Sequence, residues 1–466
     1  MPPSATPHND LQTGSKAPGS AVRAESPGRI IYDGINLPLE PGTGAATDTR
    51  LLAHIARTLG YDVGIVYDST FTPGKDPLLQ EVLFLDQMRM PHQMDRRITR
   101  RGALSRTINR IIDQARYRFT VKPLSLSFGG AAIARQYADL LAEHDRAFIA
   151  RDLFESANII FNKTSRLINL SFNPIPDILH LTCPLPLRVR SACNIYTIAH
   201  LSTLRPPYAM LNGKKNILEL LKKIVNTADH IVTVSEHSKR DLLDTLKVDE
   251  RRITNTYQAI AIPQRYLERP EEAIANYLNG LYGLEMNGYL LSFGALEKNG
   301  GRLIDAFLAS HVDVPLVLLT APGSDSADDR HRSGELREPA GARNAAGSPV
   351  RRVSAAGLSA LVSLVRGARA VIFPSPYDGF SLPILQAMML GTPVIAARSG
   401  ALSEISGDAA LLVDPYDIDD LARAVRTMVN DADLRRELSR RGTARAANFS
   451  VARYRERIGS LYASLV

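Results

Sequence analysis

Few cysteines, no long apolar run and no leader-like opening each close off a class of protein for this chain. Its two cysteines, Cys183 and Cys193, stand ten residues apart with no His or Cys grouping around them. That spacing argues against a disulfide framework or a zinc site, and it suits a reducing cytoplasm with both thiols acting as small buried hydrophobes. No window approaches eighteen uninterrupted apolar residues, so no membrane span is expected. The opening MPPSATPHNDLQTGSKAPGSAVRAESPGR lacks the apolar centre of a signal peptide. Its Pro, Ser, Ala and Gly content predicts a disordered tail over residues 1–28.

What is present is enough for two or three domains: 466 residues, 45% of them hydrophobic and 22% charged. Those proportions are ordinary for a soluble globular protein. The formal net charge of +8 favours an anionic partner such as a nucleotide, a nucleic acid or an acidic membrane surface. The basic residues are clustered. Between Arg89 and Arg118 lie Arg96, Arg97, Arg100, Arg101, Arg106, Arg110 and Arg116, against only Asp95 and Asp113. Leu104, Ile108, Ile111, Ile112 and Ala115 recur there at helical spacing, which predicts an amphipathic basic helix. Its ordinary reading is a solvated face over a core-packed side; the alternative is docking on an anionic membrane surface or an acceptor. Nucleic acid is set aside, because neither aromatic interleaving nor a nucleic-acid motif accompanies the arginines.

Short β-rich apolar runs alternate with helical patterns along the rest of the chain. Strands are expected at 29–33, 62–67, 177–181, 194–199 and 230–234, and again at 289–293, 315–319, 370–373, 393–396 and 410–413. Such alternation predicts an α/β fold with parallel sheets covered on both faces, and two series predict two Rossmann-like, doubly wound domains. The domains are placed at 29–265 and 285–440, with a break near 261–289 where two prolines interrupt the pattern. The polar, aperiodic stretch 324–352 is expected to be a mobile surface insertion.

In open parallel sheets, ligands gather where helix N-termini follow strand ends. Three such loops stand out. The first, PLEPGTGAATDTR, sets Gly42 and Gly44 before a helix expected to begin near Thr47; Thr47 or Asp48 would cap it, and the glycines would let an anion approach the backbone. The second, GALEKNGGRLIDAF, places Glu297 and Lys298 at a strand-to-helix turn, where a lysine can face a phosphate. The third runs FPSPYDGFSLPILQAMMLGTP. There Gly379 permits a tight turn, Ser381 is expected to cap the helix beginning near Leu382, and the amides of Gly379, Phe380, Ser381 and Leu382 form a plausible anion cradle. Asp378 precedes that helix, and Gln386 lies one turn beyond Leu382.

The run PSPYDGFSLPILQAMMLGTPVIAARSGALSEISGDAALLVDP resembles the signature region of retaining glycosyltransferases of family 4, which have the GT-B fold. The resemblance extends to IVTVSEHSKRDLL, to the Gly42–Gly44 loop and to the GALE segment; the stretch 70–173 matches loosely. It implies two Rossmann-like domains facing across a cleft, with residues 441–466 forming a helix that crosses back to the first. It also implies a nucleotide-sugar donor held mainly by the second domain, no required metal and no cofactor. The expected product is a hexose of mannose or glucose type added with retention to a polysaccharide or lipid-linked oligosaccharide. The expected location is cytoplasmic, with peripheral attachment to the inner face of the membrane as an option.

On this resemblance Lys298 meets the donor diphosphate, Asp378 the donor sugar, Gln386 the ribose and His200 the reacting region, with Gly44, Glu297, Gly379, Phe380, Ser381 and Leu382 around the donor. The family's paired glutamates are replaced here by Asp378 and Gln386, its usual pair of cations is reduced to Lys298, and its His-Asp pair to His200–Leu201. Gln386 can still accept from one ribose hydroxyl and donate to another, so the exchange costs about 1 kcal/mol. The departures also suit a catalytically silent GT-B binding subunit, and less well a nucleotide-sugar epimerase.

Overall fold

The computed structural model describes residues 26–36, 44–69, 118–120, 122–124, 144–204, 211–293, 299–320, 349–355 and 357–466. Glu297, Lys298, the arginines from Arg96 to Arg116 and residues 1–25 lie outside the described residues.

In chain order the first half runs β1 (Arg29–Asp33), α1 (Gly44–Thr58), β2 (Asp62–Ser69), β3 (Arg118–Thr120), β4 (Lys122–Leu124), β5 (Arg146–Arg151), α2 (Leu153–Thr164) and β6 (Ile168–Ser171). It continues with β7 (Ile178–Leu181), β8 (Leu187–Arg188), β9 (Cys193–Thr197), α3 (Leu211–Thr227), β10 (His230–Thr233), α4 (Glu236–Thr245) and β11 (Ile253–Asn255). Two helices, α5 (Gln264–Leu267) and α6 (Glu271–Tyr282), occupy the stretch where the pattern was expected to break. The second half is β12 (Leu290–Phe293), α7 (Gly300–Ser310), β13 (Leu316–Thr320), β14 (Val350–Ser354), α8 (Leu358–Gly367), β15 (Ala370–Phe373) and α9 (Leu382–Met389). It closes with β16 (Val394–Ala397), α10 (Gly400–Ser406), β17 (Ala410–Val413), α11 (Ile418–Asn430), α12 (Ala432–Ala446) and α13 (Val451–Ala463).

The strands form two main sheets, ordered β11-β10-β9-β7-β1-β2-β5-β4 and β14-β13-β12-β15-β16-β17. The second is parallel throughout, and the first is parallel except where β4 meets β5. The strand sequences explain why each sheet is covered on both faces. In β15 all four residues of AVIF are buried. Val371 and Phe373 pack with α8, α9 and α10, whereas Ala370 and Ile372 point the other way onto α7 and α11. That is the period-two alternation of a strand buried from both sides. This is the expected α/β architecture of two Rossmann-like sheets.

Two local expectations need correction. Val350–Arg352 are not part of a mobile insertion: they pair with β13 as the edge strand β14, with Val350 and Val353 buried. Only two apolar residues mark that strand, too few to stand out beside the polar run before it. Helix α1 begins at Gly44, so Thr47 and Asp48 sit inside it rather than capping it. Asp48 is instead buried against the far end of the chain, accepting a hydrogen bond from Tyr454 Oη at 3.3 Å.

That contact belongs to α13, which leaves the second sheet and packs on the first. Tyr454, Ile458, Leu461 and Tyr462 share a core with Ile30, Tyr32 and Leu52. Tyr462 Oη lies 2.8 Å from Tyr32 Oη and 2.7 Å from His180 Nδ1, while His180 Nε2 lies 2.9 Å from Thr197 Oγ1. Burial drives the His180 pKa down to about 3, so this ring is neutral and both nitrogens are satisfied. Cys183 and Cys193 are free, each packed beside a different core of the first sheet. Burial pushes the Cys193 thiol up to about 11, which makes it a poor nucleophile.

Candidate functional site

The loops after β9 and β15 meet face to face. A side chain at Gly379 would place its Cβ 2.3 Å from the Ala199 carbonyl oxygen and 3.2 Å from His200 Cβ. Only glycine fits, because the backbone of the opposite domain occupies the space a methyl group would need. The expected reason for this glycine, a tight turn, is therefore incomplete: the residue is there for close approach. Asp378 is half-buried, and its Oδ1 accepts from the Gly379 N–H at 2.9 Å, which aligns the carboxylate with the loop. His200 is exposed at the opposing tip, with its Nδ1 2.8 Å from Ser202 Oγ. The fold thus brings His200 and Asp378, 178 positions apart in the sequence, to one junction.

Behind that junction stands the N-terminus of α9. Ser381 occupies the N-cap position but does not cap with its side chain. Its backbone is left-handed, φ 75° and ψ 72°, whereas a capping serine needs an extended conformation. Pro383, with no N–H to give, also removes the usual donor two residues on. As a result Ser381 Oγ is buried and has no hydrogen-bond partner among the described residues. A strained, non-glycine residue with an orphaned hydroxyl is an uncommon combination in a native interior. The first intrahelical bond at this end runs from Leu385 N–H to Ser381 O at 3.3 Å, so the amides of Leu382 and Ile384 precede the ladder.

The other expected donor contacts are distributed differently. Phe380 turns away from the junction into an aromatic cluster, with ring centroids 6.3 Å from Tyr257 and 5.5 Å from Phe449. Leu382 is buried in the second core, so these two residues can serve a ligand only through their backbones. Gln386 is buried in α9 one turn below Leu382, on the same helical face. Gly44 opens α1, the helix that follows β1, an interior strand of the first sheet.

Glu297 and Lys298 lie outside the described residues, but Asn299 beside them does not. Its Nδ2 donates to Pro374 O at 3.2 Å and to Pro415 O at 2.5 Å, tying three strand-end loops together. Arg302 donates to Asn299 Oδ1 at 2.8 Å and stacks over the Tyr416 ring at 5.4 Å. Sequence reasoning also missed Asp33 at the end of β1. Thr182 donates to it from its N–H at 2.5 Å and from its hydroxyl at 3.2 Å, yet burial outweighs both and raises its pKa to about 6. An acidic residue following the apolar centre Ile30–Tyr32 of the strand was the available signal.

Two doubly wound sheets joined by a returning helix, with strand-end loops apposed between them, define the GT-B fold. Solved structures agree. Sucrose-phosphate synthase from Thermosynechococcus elongatus superposes with a TM-score of 0.64 at 18% identity, covering 94% of this chain and 98% of that one. Anabaena Alr3699/HepE, solved with UDP and glucose, gives a TM-score of 0.60 at 13% identity, covering 94% of this chain and 100% of that one. Residues 353–445 match the family described as Glycosyl transferases group 1, so the chain carries a domain of that group. The O-antigen chain mannosyltransferase B of Escherichia coli is 29% identical over 251 residues, 53% of this chain and 63% of that protein. The matched region therefore spans less than two thirds of that relative's length.

Proposed function

We propose that this protein is a hexosyltransferase that moves mannose, or a similar hexose, from a nucleotide sugar to a growing polysaccharide or lipid-linked oligosaccharide with retention. The observation that carries the proposal is the α9 terminus, where Ser381 is strained and buried with its hydroxyl unpartnered among the described residues, beside amides that precede the helical ladder, while Gly379 two residues earlier abuts His200 across the junction. Such an end favours negative charge. A nucleotide-sugar diphosphate would complete the hydroxyl's hydrogen bonding, and catalysis would rest on stabilising that diphosphate as it leaves. Asp378 would face the donor sugar, Gln386 the ribose, and Lys298 and Glu297 the diphosphate edge. Mannose is preferred because the E. coli relative is named a mannosyltransferase. No metal is required in this reading.

Thermal stabilisation by GDP-, UDP- and ADP-sugars, followed by transfer assays with saccharide acceptors, tests the proposal. Stabilisation by one nucleotide class together with EDTA-insensitive transfer is expected; no transfer or donor hydrolysis across the panel would overturn it. Asp378 and Gln386, standing where the family has glutamates, favour a second reading as a silent binding subunit. Asp378→Glu with Gln386→Glu separates the two, since only a weakened enzyme gains turnover. The arginines Arg96, Arg97, Arg100, Arg101, Arg106 and Arg110 are assigned to an anionic membrane surface that presents the acceptor. Sedimentation with anionic vesicles at low salt should carry the protein down, and release it as salt screens the charge. Failure to sediment at low salt would remove the membrane from the proposal.

A further inference from the structure

The cleft has a contact that the donor site does not use. Helix α4 belongs to the first domain, and its four leading N–H groups are all accounted for. Ser238 N–H donates to Ser235 Oγ at 3.0 Å and Lys239 N–H to Ser235 O at 3.0 Å. The remaining two are taken by the second domain: Glu404 in α10 accepts from Glu236 N–H at 2.9 Å and from His237 N–H at 2.8 Å, one through each carboxylate oxygen. A carboxylate across the end of a helix satisfies both orphan donors and meets the positive end of the helix dipole. Glu404 is itself held, because Arg445 donates to the carbonyls of Glu404 and Ile405 at 2.5 and 2.9 Å. Next to it, His237 lies close against Gly400, where a Cβ would come 3.0 Å from the ring.

Helix α4 also touches both loops of the junction. Ser238 Oγ donates to Ala199 O at 2.7 Å and lies 3.3 Å from Gly379 O. One turn further on, Asp241 accepts from Tyr377 Oη, and Tyr377 Oη in turn accepts from Leu201 N–H at 3.3 Å. The helix therefore spans the distance between the loop bearing His200 and the loop bearing Asp378.

We propose that Glu404 is a positioning residue: by gripping the N-terminus of α4 from the opposite domain, it sets the register in which His200 faces Asp378 and Gly379. This rests on reading the junction as the transfer site. Glu404 meets neither donor nor acceptor; it acts through α4.

Glu404→Ala and Glu404→Gln, compared with the unaltered chain, test this in two independent ways. Amide hydrogen exchange should rise at least tenfold at Glu236 and His237 in Glu404→Ala. It should also rise in the loops containing Leu201 and Gly379, with exchange in the strands of both sheets unchanged. In transfer assays, kcat should fall at least tenfold while the dissociation constant of the nucleotide alone stays within twofold, and Glu404→Gln, keeping one acceptor oxygen, should fall between. Faster exchange confined to α4, or kcat within threefold of the unaltered chain, would overturn the proposal. A general rise in exchange in both variants would mean that Glu404 supports the fold rather than the register, and would overturn it equally. If the unaltered chain transfers no sugar, the transferase reading fails while the two loops still decide whether Glu404 sets the register.

Discussion

Ser381 carries the sharpest single-residue expectation. Replacing a buried hydroxyl that has no partner among the described residues leaves none of them stranded, so Ser381→Ala should leave folding stability unchanged or slightly raised. If the hydroxyl meets the donor, affinity for the nucleotide sugar should fall by about 0.5–1.5 kcal/mol, roughly two- to tenfold. Urea unfolding and isothermal titration on the same preparation check the two halves, and a variant that loses stability but not affinity would refute the assignment. Part of this was legible in the sequence. The S-L-P order shows that the usual capping donor is missing, but the left-handed backbone at Ser381 is visible only in the fold. Gly379 shows the same limit. A glycine in a loop reads as a turn, and its clash partner, the Ala199 carbonyl, is 180 residues away and leaves no local trace.

At the scale of elements, the contact of α1 with α13 turns on a buried acid. Burial raises the Asp48 pKa from 3.8 to about 6, against the hydrogen bonds from Gln258 and Tyr454 that pull it down. The folded chain therefore holds this proton more tightly than the unfolded chain does. Its contribution to stability is greatest below about pH 4 and is lost as pH rises through 6, by about 3 kcal/mol in all. Asp48→Asn removes the titrating group while keeping an acceptor for Tyr454. Between pH 4 and pH 7 the unaltered chain should lose about 2 kcal/mol more unfolding free energy than the variant, as read from urea curves. Parallel pH profiles would show that the carboxyl does not titrate in the fold. The strands and helices were readable where apolar residues repeat, as in β15 and α9. They were not readable at the start of α1, whose first turn is GAAT and carries no apolar stripe.

For the whole molecule, the two sheets follow from the amino-acid order alone. Short apolar strands separated by amphipathic helices have one compact solution, a parallel sheet with helices on both faces, and the chain contains that series twice. The sequence also placed Asp378, Ser381 and Gln386 at a strand-to-helix turn, because strand, loop and helix adjoin there. Only the tertiary structure decided what those residues face. His200 meets Gly379, Glu404 meets the end of α4, and Tyr462 closes a hydrogen-bonded chain with Tyr32 and His180 430 and 282 positions away. Periodicity records which side of an element is buried, since burial repeats with the element's own geometry. It does not record the partner, because contacts across a cleft join single residues whose spacing along the chain has no period.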